Sequence, residues 1–82
     1  MSDPIDRLPA QLKKSGVSRS AHYANRANGL WVRPIRLGQR AAGNWSSESD
    51  AIVKARAQGK SDDEIRSLVR ELEAARKEGA TP

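Results

Sequence analysis

The fold is decided by the stretch from Gly16 to Gly38, which reads GVSRSAHYANRANGLWVRPIRLG. It begins with a turn glycine and a serine suited to start a helix, and it ends with strand-forming residues before a second glycine. Ser18 predicts a helix N-cap, because its hydroxyl can accept a hydrogen bond from N–H groups of the first turn. The pair Asn28 and Gly29 suits the left-handed backbone angles at which helices end. We therefore expect a helix between these two signals.

A shorter helix is expected just before this stretch. Leu8 precedes Pro9, a residue favoured at the first helical position because the N–H that it lacks would have no partner there. The sequence predicts a helix from Pro9 to Lys14, ended by Gly16. Two short helices joined through a glycine turn form a helix-turn-helix, whose second helix enters the DNA major groove.

The 3.6-residue period indicates which face of the second helix points outward. Its mostly apolar stripe runs through Val17, Ala21, Ala24 and Asn28, with Ala27 beside it. The opposite face then holds Arg19, His22, Tyr23 and Arg26. An aromatic residue on a short helix can instead pack in the core, so both roles are open for Tyr23.

A β-hairpin is expected after the second helix. The segment from Trp31 to Leu37 is rich in residues that favour extended structure, and Pro34 suits an edge strand. Gly38 and Gln39 can form a tight turn, after which residues 40–45 return as a second strand.

The register of this hairpin depends on the length of its turn. If Leu37 pairs with Arg40, then Ile35 lies opposite Ala42. A change of one residue in the turn would reverse the facing of the second strand, so the facing of Trp45 is left open.

Two further helices are expected in the C-terminal half. The first begins in the serine-rich segment Ser46–Asp50 and ends near Gly59. The second begins at Ser61, which forms a capping box with Glu64. Its apolar stripe comprises Ile65, Leu68, Val69 and Leu72. We expect the stripe to pack within the domain, because two heptads are too few for a coiled coil with another copy.

Positive charge is concentrated in the centre of the chain. Residues 1–15 hold three bases and two acids, residues 46–82 hold seven bases and eight acids, and residues 16–45 hold five bases and no acid. All five central bases are arginines: Arg19, Arg26, Arg33, Arg36 and Arg40. A confined basic surface attracts polyanions, and arginine matches phosphate and guanine edges bidentately. The sequence therefore predicts nucleic acid as the partner.

Length and composition argue against several other classes of protein. A chain of 82 residues with three aromatic side chains forms a thin core, which leaves little room for a water-excluding pocket. With no cysteine and one histidine, a thiolate or histidine-based site would lack partners. No apolar run is long enough to span a membrane, and the start MSDPIDRLP is unlike a signal peptide. We expect no enzymatic activity, cofactor, metal or small-molecule substrate, and a cytoplasmic location, at the nucleoid when bound to DNA.

Several segments, taken together, resemble the AlpA family of prophage regulators. In chain order they are GVSRS at 16–20 with Tyr23 downstream, GLW at 29–31, RPIRLG at 33–38, RA at 40–41 with Gly43, and SE at 47–48 with DA at 50–51. The segment ARAQGKSDDEIRSL at 55–68 is similar to a C-terminal extension in one branch of that family. The likeness covers roughly residues 8–76.

The resemblance implies a winged helix-turn-helix related to MerR-type domains and phage excisionases. Such a fold is mainly α with a small β-hairpin: two short helices, a two-stranded wing and two C-terminal helices. The second helix would enter the major groove, and the wing would lie along the backbone or minor groove. Two positions depart from the family. At the position of Arg26 the family usually has isoleucine or a similar residue, which points inward. At the position of Asn44 it usually has tryptophan, which in this chain follows one residue later as Trp45. Arg26 can therefore point either to DNA or toward the core.

We predict a sequence-specific, double-stranded DNA-binding protein that regulates transcription in a phage or mobile element. Formation of homo-oligomers on DNA is compatible with this function. An excisionase on the same fold is one alternative, and a module that binds an acidic protein is another. RNA is less expected because RNA readers use several aromatic stacking platforms. The predicted DNA contacts are Ser18, Arg19, Ser20, His22, Tyr23, Arg26, Arg33, Arg36, Gln39 and Arg40. The predicted organisation is a flexible tail over 1–7, one domain over 8–78 and a flexible tail over 79–82.

Overall fold

A computed structural model describes residues 4–77, which form four helices and a small antiparallel sheet. The elements in chain order are β1 (Ile5–Asp6), α1 (Leu8–Ser15), α2 (Arg19–Ala27), β2 (Ile35–Arg36), β3 (Ala42–Trp45), α3 (Ser46–Ala57) and α4 (Asp62–Lys77). The prediction of a mainly helical chain with a small β element is confirmed at this level. No helix in the described part of the chain is both long and apolar enough to cross a bilayer.

The first two helices begin and end at the predicted signals. Pro9 lies in the first turn of α1, and Gly16 ends that helix with a left-handed φ of 72°. The N–H of Gly16 donates to the carbonyl of Leu12 at 2.8 Å, which satisfies a carbonyl at the helix end. At the start of α2, the Ser18 hydroxyl accepts from the N–H of Ala21 at 3.2 Å. Local capping chemistry therefore sets the turn between the two helices.

The hairpin has a longer loop and a different register from those predicted. Ile35 lies opposite Gly43, not opposite Ala42. The N–H of Leu37 donates to the carbonyl of Ala41 at 2.8 Å, so five residues connect the strands where the sequence predicted a two-residue turn. The longer connection moves the second strand by one residue, which reverses the face on which each of its side chains lies.

The sheet has a third strand that the sequence did not predict. β1 pairs with β3 and places Ile5 opposite Trp45. The two backbones approach closely at Gly43, where an added Cβ would lie 2.5 Å from the carbonyl oxygen of Asp6. Ile5 and Asp6, predicted as part of a flexible tail, therefore belong to the sheet. The sequence did not predict this strand, because two residues carry no periodic signal. Apart from Pro4 and Arg7, the rest of both predicted tails lies in residues 1–3 and 78–82, which are outside the described residues. The single domain over 8–78 stays a prediction.

The core lies between α3, α4 and the loop that follows α2. Its buried hydrophobic residues are Leu30, Trp31, Val32, Ile52, Ala55, Ile65 and Val69. Leu68 and Leu72 pack at its edge, so the apolar stripe of α4 lies inside the domain as predicted. Trp31 and Val32, predicted to start a strand, lie in a buried loop instead.

The two C-terminal helices differ in how they begin. α4 has the predicted capping box, in which the Glu64 carboxylate accepts from the N–H of Ser61 at 3.0 Å and the Ser61 hydroxyl accepts from the N–H of Glu64 at 3.2 Å. α3 begins directly after β3, and its Glu48 carboxylate accepts from the N–H of Trp45 at 2.9 Å.

Candidate nucleic-acid interface

The second helix of the helix pair, α2, turns a different face inward from the one that the sequence predicted. His22 is fully buried, and its ring centroid lies 5.1 Å from that of Trp31 in an edge-on arrangement. Ala24 and Ala27, predicted to face the core, are exposed. An imidazole that packs on an indole buries more surface than alanine methyl groups do, so the weak alanine stripe does not set the orientation. The predicted outward orientation of His22 is wrong.

Arg26 lies partly inside this packing. Its Nη2 is 3.3 Å from Nε2 of His22, and its guanidinium carbon lies 5.4 Å from the ring centroid of Tyr23. Burial, and then the positive charge of Arg26, lowers the pKa of His22 from its ordinary value of 6.5, which favours a neutral ring that can accept a hydrogen bond. Arg26 is therefore neither freely solvated nor in the hydrophobic core.

The outward face of α2 keeps the other predicted residues. Ser18, Arg19 and Ser20 are exposed at the helix start, and Tyr23 is 46% exposed. Arg19 lies four residues before Tyr23 and Ser20 three, so the three side chains share one face of the helix. Tyr23 thus has an exposed ring available to a ligand, which the sequence alone left undecided.

A groove of about 490 Å³ lies between the start of α1, the helix α2 and the hairpin. We call it the arginine groove, because Arg7, Arg26 and Arg40 line it together with Tyr23. Within residues 4–77, no acidic side chain lines it.

The hairpin adds exposed polar groups beside the arginine groove. Ala42 lines the groove and pairs with Arg36 across the hairpin, so the Arg36 side chain extends from the same face of the sheet. Arg36, Gln39 and Arg40 are all exposed. The structure therefore brings part of α2 and part of the hairpin to one surface, as the predicted site requires.

Ion pairs divide the described arginines into two groups. Arg33, Arg56, Arg66 and Arg76 each lie within 4.0 Å of a carboxylate oxygen. Five others have no described carboxylate at that distance and belong to the start of α1, to α2 or to the hairpin: Arg7, Arg19, Arg26, Arg36 and Arg40. Arg70 on α4 is also unpaired within residues 4–77. Five of the six described arginines without a carboxylate partner therefore lie just before α1, on α2 or in the hairpin, and three of them line the groove.

Arg33 does not line the arginine groove, although it borders a separate cavity together with Arg26. Its backbone N–H donates to Oε2 of Glu73 at 2.8 Å, and its Nε lies 4.0 Å from Oε1 of the same carboxylate. Together with Arg70 it lines a second groove against α4. The structure places Arg33 away from the arginine groove, although its side chain is 87% exposed.

Two residues of the groove were missed from the sequence. Arg7 was assigned to a flexible tail, although its position directly before the start signal of α1 could have placed it beside a helix N-terminus. Gln11 is buried, and its amide nitrogen donates to the carbonyl of Asp6 at 3.1 Å and to Oδ1 of Asn44 at 2.7 Å. Its own Oε1 has no partner among the described residues. No local signal predicts a buried glutamine on an eight-residue helix.

A buried polar network centred on Asn44 holds the walls of this surface. Besides the bond from Gln11, Oδ1 of Asn44 accepts from the indole N–H of Trp31 at 3.1 Å. Its amide nitrogen donates to the Ser49 hydroxyl at 2.7 Å and to the carbonyl of Trp45 at 2.8 Å. One side chain thereby connects α1, β3, α3 and the loop after α2.

A buried ion pair fixes the end of α4. Arg76 donates to both oxygens of Glu48, with distances of 2.7 Å from Nε to Oε2 and 2.6 Å from Nη2 to Oε1. Its Nη1 also donates to the backbone carbonyl of Arg33 at 3.0 Å. The pair joins α4 to the start of α3 and to the segment that leads into the hairpin.

No cluster of three or more potential metal-ligating His, Cys, Asp or Glu side chains occurs within residues 4–77. No protein-family model, curated protein or solved structure matches this chain. The resemblance to the AlpA family therefore stays a prediction, and function is inferred from the side chains and their geometry.

Proposed function

We propose that this chain is a sequence-specific double-stranded DNA-binding protein that regulates transcription in a phage or mobile element and has no enzymatic activity. The observation that carries the proposal is the concentration of unpaired arginines around α2 and the hairpin. Arginines that lie close together without carboxylate partners repel each other in the free protein. Binding of a polyanion replaces this repulsion with attraction and releases the counterions of the polyanion.

The arrangement of elements supports a winged helix-turn-helix of the AlpA type. In this proposal α1, the Gly16 turn and α2 are the helix-turn-helix, and the β2–β3 hairpin is the wing. α2 is nine residues long, or about 13 Å at 1.5 Å per residue. With its side chains an α-helix is about 10–12 Å across, which fits the major groove of about 12 Å width. Arg19, Ser20 and Tyr23 would then face base edges, and Arg36, Gln39 and Arg40 would contact phosphates or the minor groove.

Salt-dependent binding to duplex DNA tests the proposal. With about four to six phosphate contacts, the logarithm of the binding constant should fall with the logarithm of salt concentration at a slope of about −4 to −5. Fluorescence anisotropy of a labelled random 20-base-pair duplex measures the slope. Lys54→Ala removes an exposed charge from α3 and serves as the control, with binding expected to stay within about twofold. A slope near zero for the unmodified chain would reject the proposal.

The division of labour between helix and wing has its own test, after a preferred site has been selected from a pool of random duplexes. Arg19→Ala should weaken binding to the selected site more than binding to random DNA, because a base contact specifies sequence. Arg36→Ala should weaken both to a similar degree, because a phosphate contact carries no sequence information. Equal losses for the two variants would contradict this assignment.

Two alternatives use the same surface. An excisionase would bind DNA through the same helix and wing, and an excision assay with the cognate recombinase would identify it. A module for an acidic protein is supported by the exposed apolar side chains of Tyr23 and Leu37, which are 46% and 45% exposed beside the unpaired arginines. Salt-sensitive binding to an acidic polypeptide but not to duplex DNA would favour the module.

A further inference from the structure

The arginine groove collects three cations from three separate parts of the chain. Arg7 precedes α1, Arg26 lies near the end of α2, and Arg40 lies in the hairpin loop, yet all three line one concave space of about 490 Å³. None has a carboxylate partner among the described residues. Three guanidinium groups on one groove repel each other, and an anion between them would turn that repulsion into attraction.

Arg26 has hydrogen-bonding capacity that the described residues do not use. Its Nε is buried and has no acceptor, and its Nη2 meets only the His22 ring at 3.3 Å. A buried donor without an acceptor costs free energy, and more so when it is charged. An anion seated in the groove, which Arg26 lines, would offset the charge of this guanidinium group.

The other walls of the groove suit the same kind of ligand. The first turn of α1 has no acidic residue, and its N-cap residue Arg7 makes no side-chain capping bond, so the positive end of the helix is not neutralised locally. Gln11 is only 2% exposed, lines the groove and leaves its Oε1 without a partner. Gln11 therefore gives the groove a neutral polar wall and adds no negative charge that would repel an anion.

We propose that the arginine groove is a phosphate-binding site, in which Arg7, Arg26 and Arg40 surround a single phosphate group. The phosphate comes either from the backbone of bound DNA or from a free phosphorylated ligand, because both present the same oxygens to the guanidinium groups. The first source rests on the proposed DNA-binding function, and the second does not. With DNA as the source, Arg7 would make the N-terminal segment part of the interface and fix the position of α2 against one backbone phosphate.

The test uses inorganic pyrophosphate as the probe, titrated at constant ionic strength and followed by amide chemical shifts of the whole chain. Saturable shifts are expected at residues 7–11, 23–26 and 40–42. Arg7→Ala and Arg40→Ala should each weaken the pyrophosphate affinity by about tenfold or more, as for loss of a hydrogen bond to a charged group. Lys13→Ala removes an exposed charge from the same helix as the control and should leave the affinity within about twofold.

Folding of the variants is checked by circular dichroism, and the exposed side chains of Arg7 and Arg40 have no ion pair to lose within residues 4–77. Absence of saturation would overturn the site. Shifts of equal size around Lys13, Lys54 and Lys60 would overturn it too, because they would indicate a general response to anions.

Two competitors then identify the source of the phosphate. Displacement of pyrophosphate by a random 12-base-pair duplex, with duplex affinity lowered in Arg7→Ala, would support the DNA backbone. If a nucleoside monophosphate displaces pyrophosphate and the chain does not bind duplex DNA, the phosphate comes from a free ligand. That result would support the phosphate-binding site and reject the proposed DNA-binding function. Duplex binding by a chain that does not bind pyrophosphate would reject the site and leave the proposed function intact.

Discussion

Replacement of Asn44 by alanine should remove much of the stability of this domain. Asn44 is 1% exposed, and its Oδ1 accepts from the indole N–H of Trp31 and from the amide of Gln11. In Asn44→Ala the indole N–H and one amide N–H of Gln11 lose their acceptor inside the protein. These two donors come from different elements, and both side chains are buried.

The size of the effect follows from the two unsatisfied donors. Each buried donor without a partner costs about 1–3 kcal/mol, so Asn44→Ala should lower the free energy of unfolding by about 2–6 kcal/mol. A domain of 82 residues has a stability of about 4–12 kcal/mol at 0.05–0.15 kcal/mol per residue. The variant should therefore unfold at a much lower urea concentration than the unmodified chain.

Urea denaturation at pH 7, followed by far-ultraviolet circular dichroism, measures this difference. Gln58→Ala removes an exposed amide at the end of α3 and should change the free energy of unfolding by less than about 0.5 kcal/mol. If Asn44→Ala stays within that same range with an unchanged fold, the network does not stabilise the domain and the reasoning is refuted.

Three further changes probe other parts of the structure. Arg76→Ala leaves the buried Glu48 carboxylate without a cation and should lower the free energy of unfolding by about 3–5 kcal/mol. A double-mutant cycle with Glu48→Ala measures the coupling between the two side chains. Additive losses for the two single variants would contradict a stabilising ion pair. Because burial lowers the pKa of His22 in the folded chain, the unfolded chain binds the proton more readily, so stability should be present above pH 6.5 and fall as pH drops through the ordinary pKa of 6.5. An unchanged pH dependence between 8 and 5 in His22→Gln would exclude this ring as the cause. Gly43→Ala should disrupt the sheet, because the new Cβ would lie 2.5 Å from a backbone carbonyl oxygen of β1. In the control Gly38→Ala the new Cβ meets no atom within 4 Å, so this variant should be tolerated. Equal thermal unfolding midpoints for the two variants would contradict the close approach at Gly43.

Substitution of the exposed arginines and of the buried Arg76 should have different effects. Arg19, Arg36 and Arg40 are exposed without described carboxylate partners, so their loss should affect ligand binding far more than folding. Arg76 is held by a buried carboxylate and a backbone carbonyl, so its loss should affect folding. The net charge of +5 therefore combines two kinds of cation that composition cannot distinguish.

Local residues are enough to predict where α1 ends and where α2 and α4 begin. The N-cap at Ser18, the turn at Gly16 and the capping box from Ser61 to Glu64 all depend on hydrogen bonds within one helical turn, so local residues are sufficient to predict them. The apolar stripe of α4 was predictable for a similar reason, because Ile65 and the residues that continue it are large enough to make one face clearly apolar.

Contacts between elements set which face of α2 points inward, how the hairpin is paired and that Ile5 and Asp6 join the sheet. His22 is buried against Trp31, which lies outside the helix, and the alanine pattern of the helix does not show this contact. The arginine groove likewise depends on Arg7 reaching α2 and the hairpin. These features arise from contacts between residues far apart in the chain, whose free energies depend on which polar groups find partners and not on the local spacing of residue types.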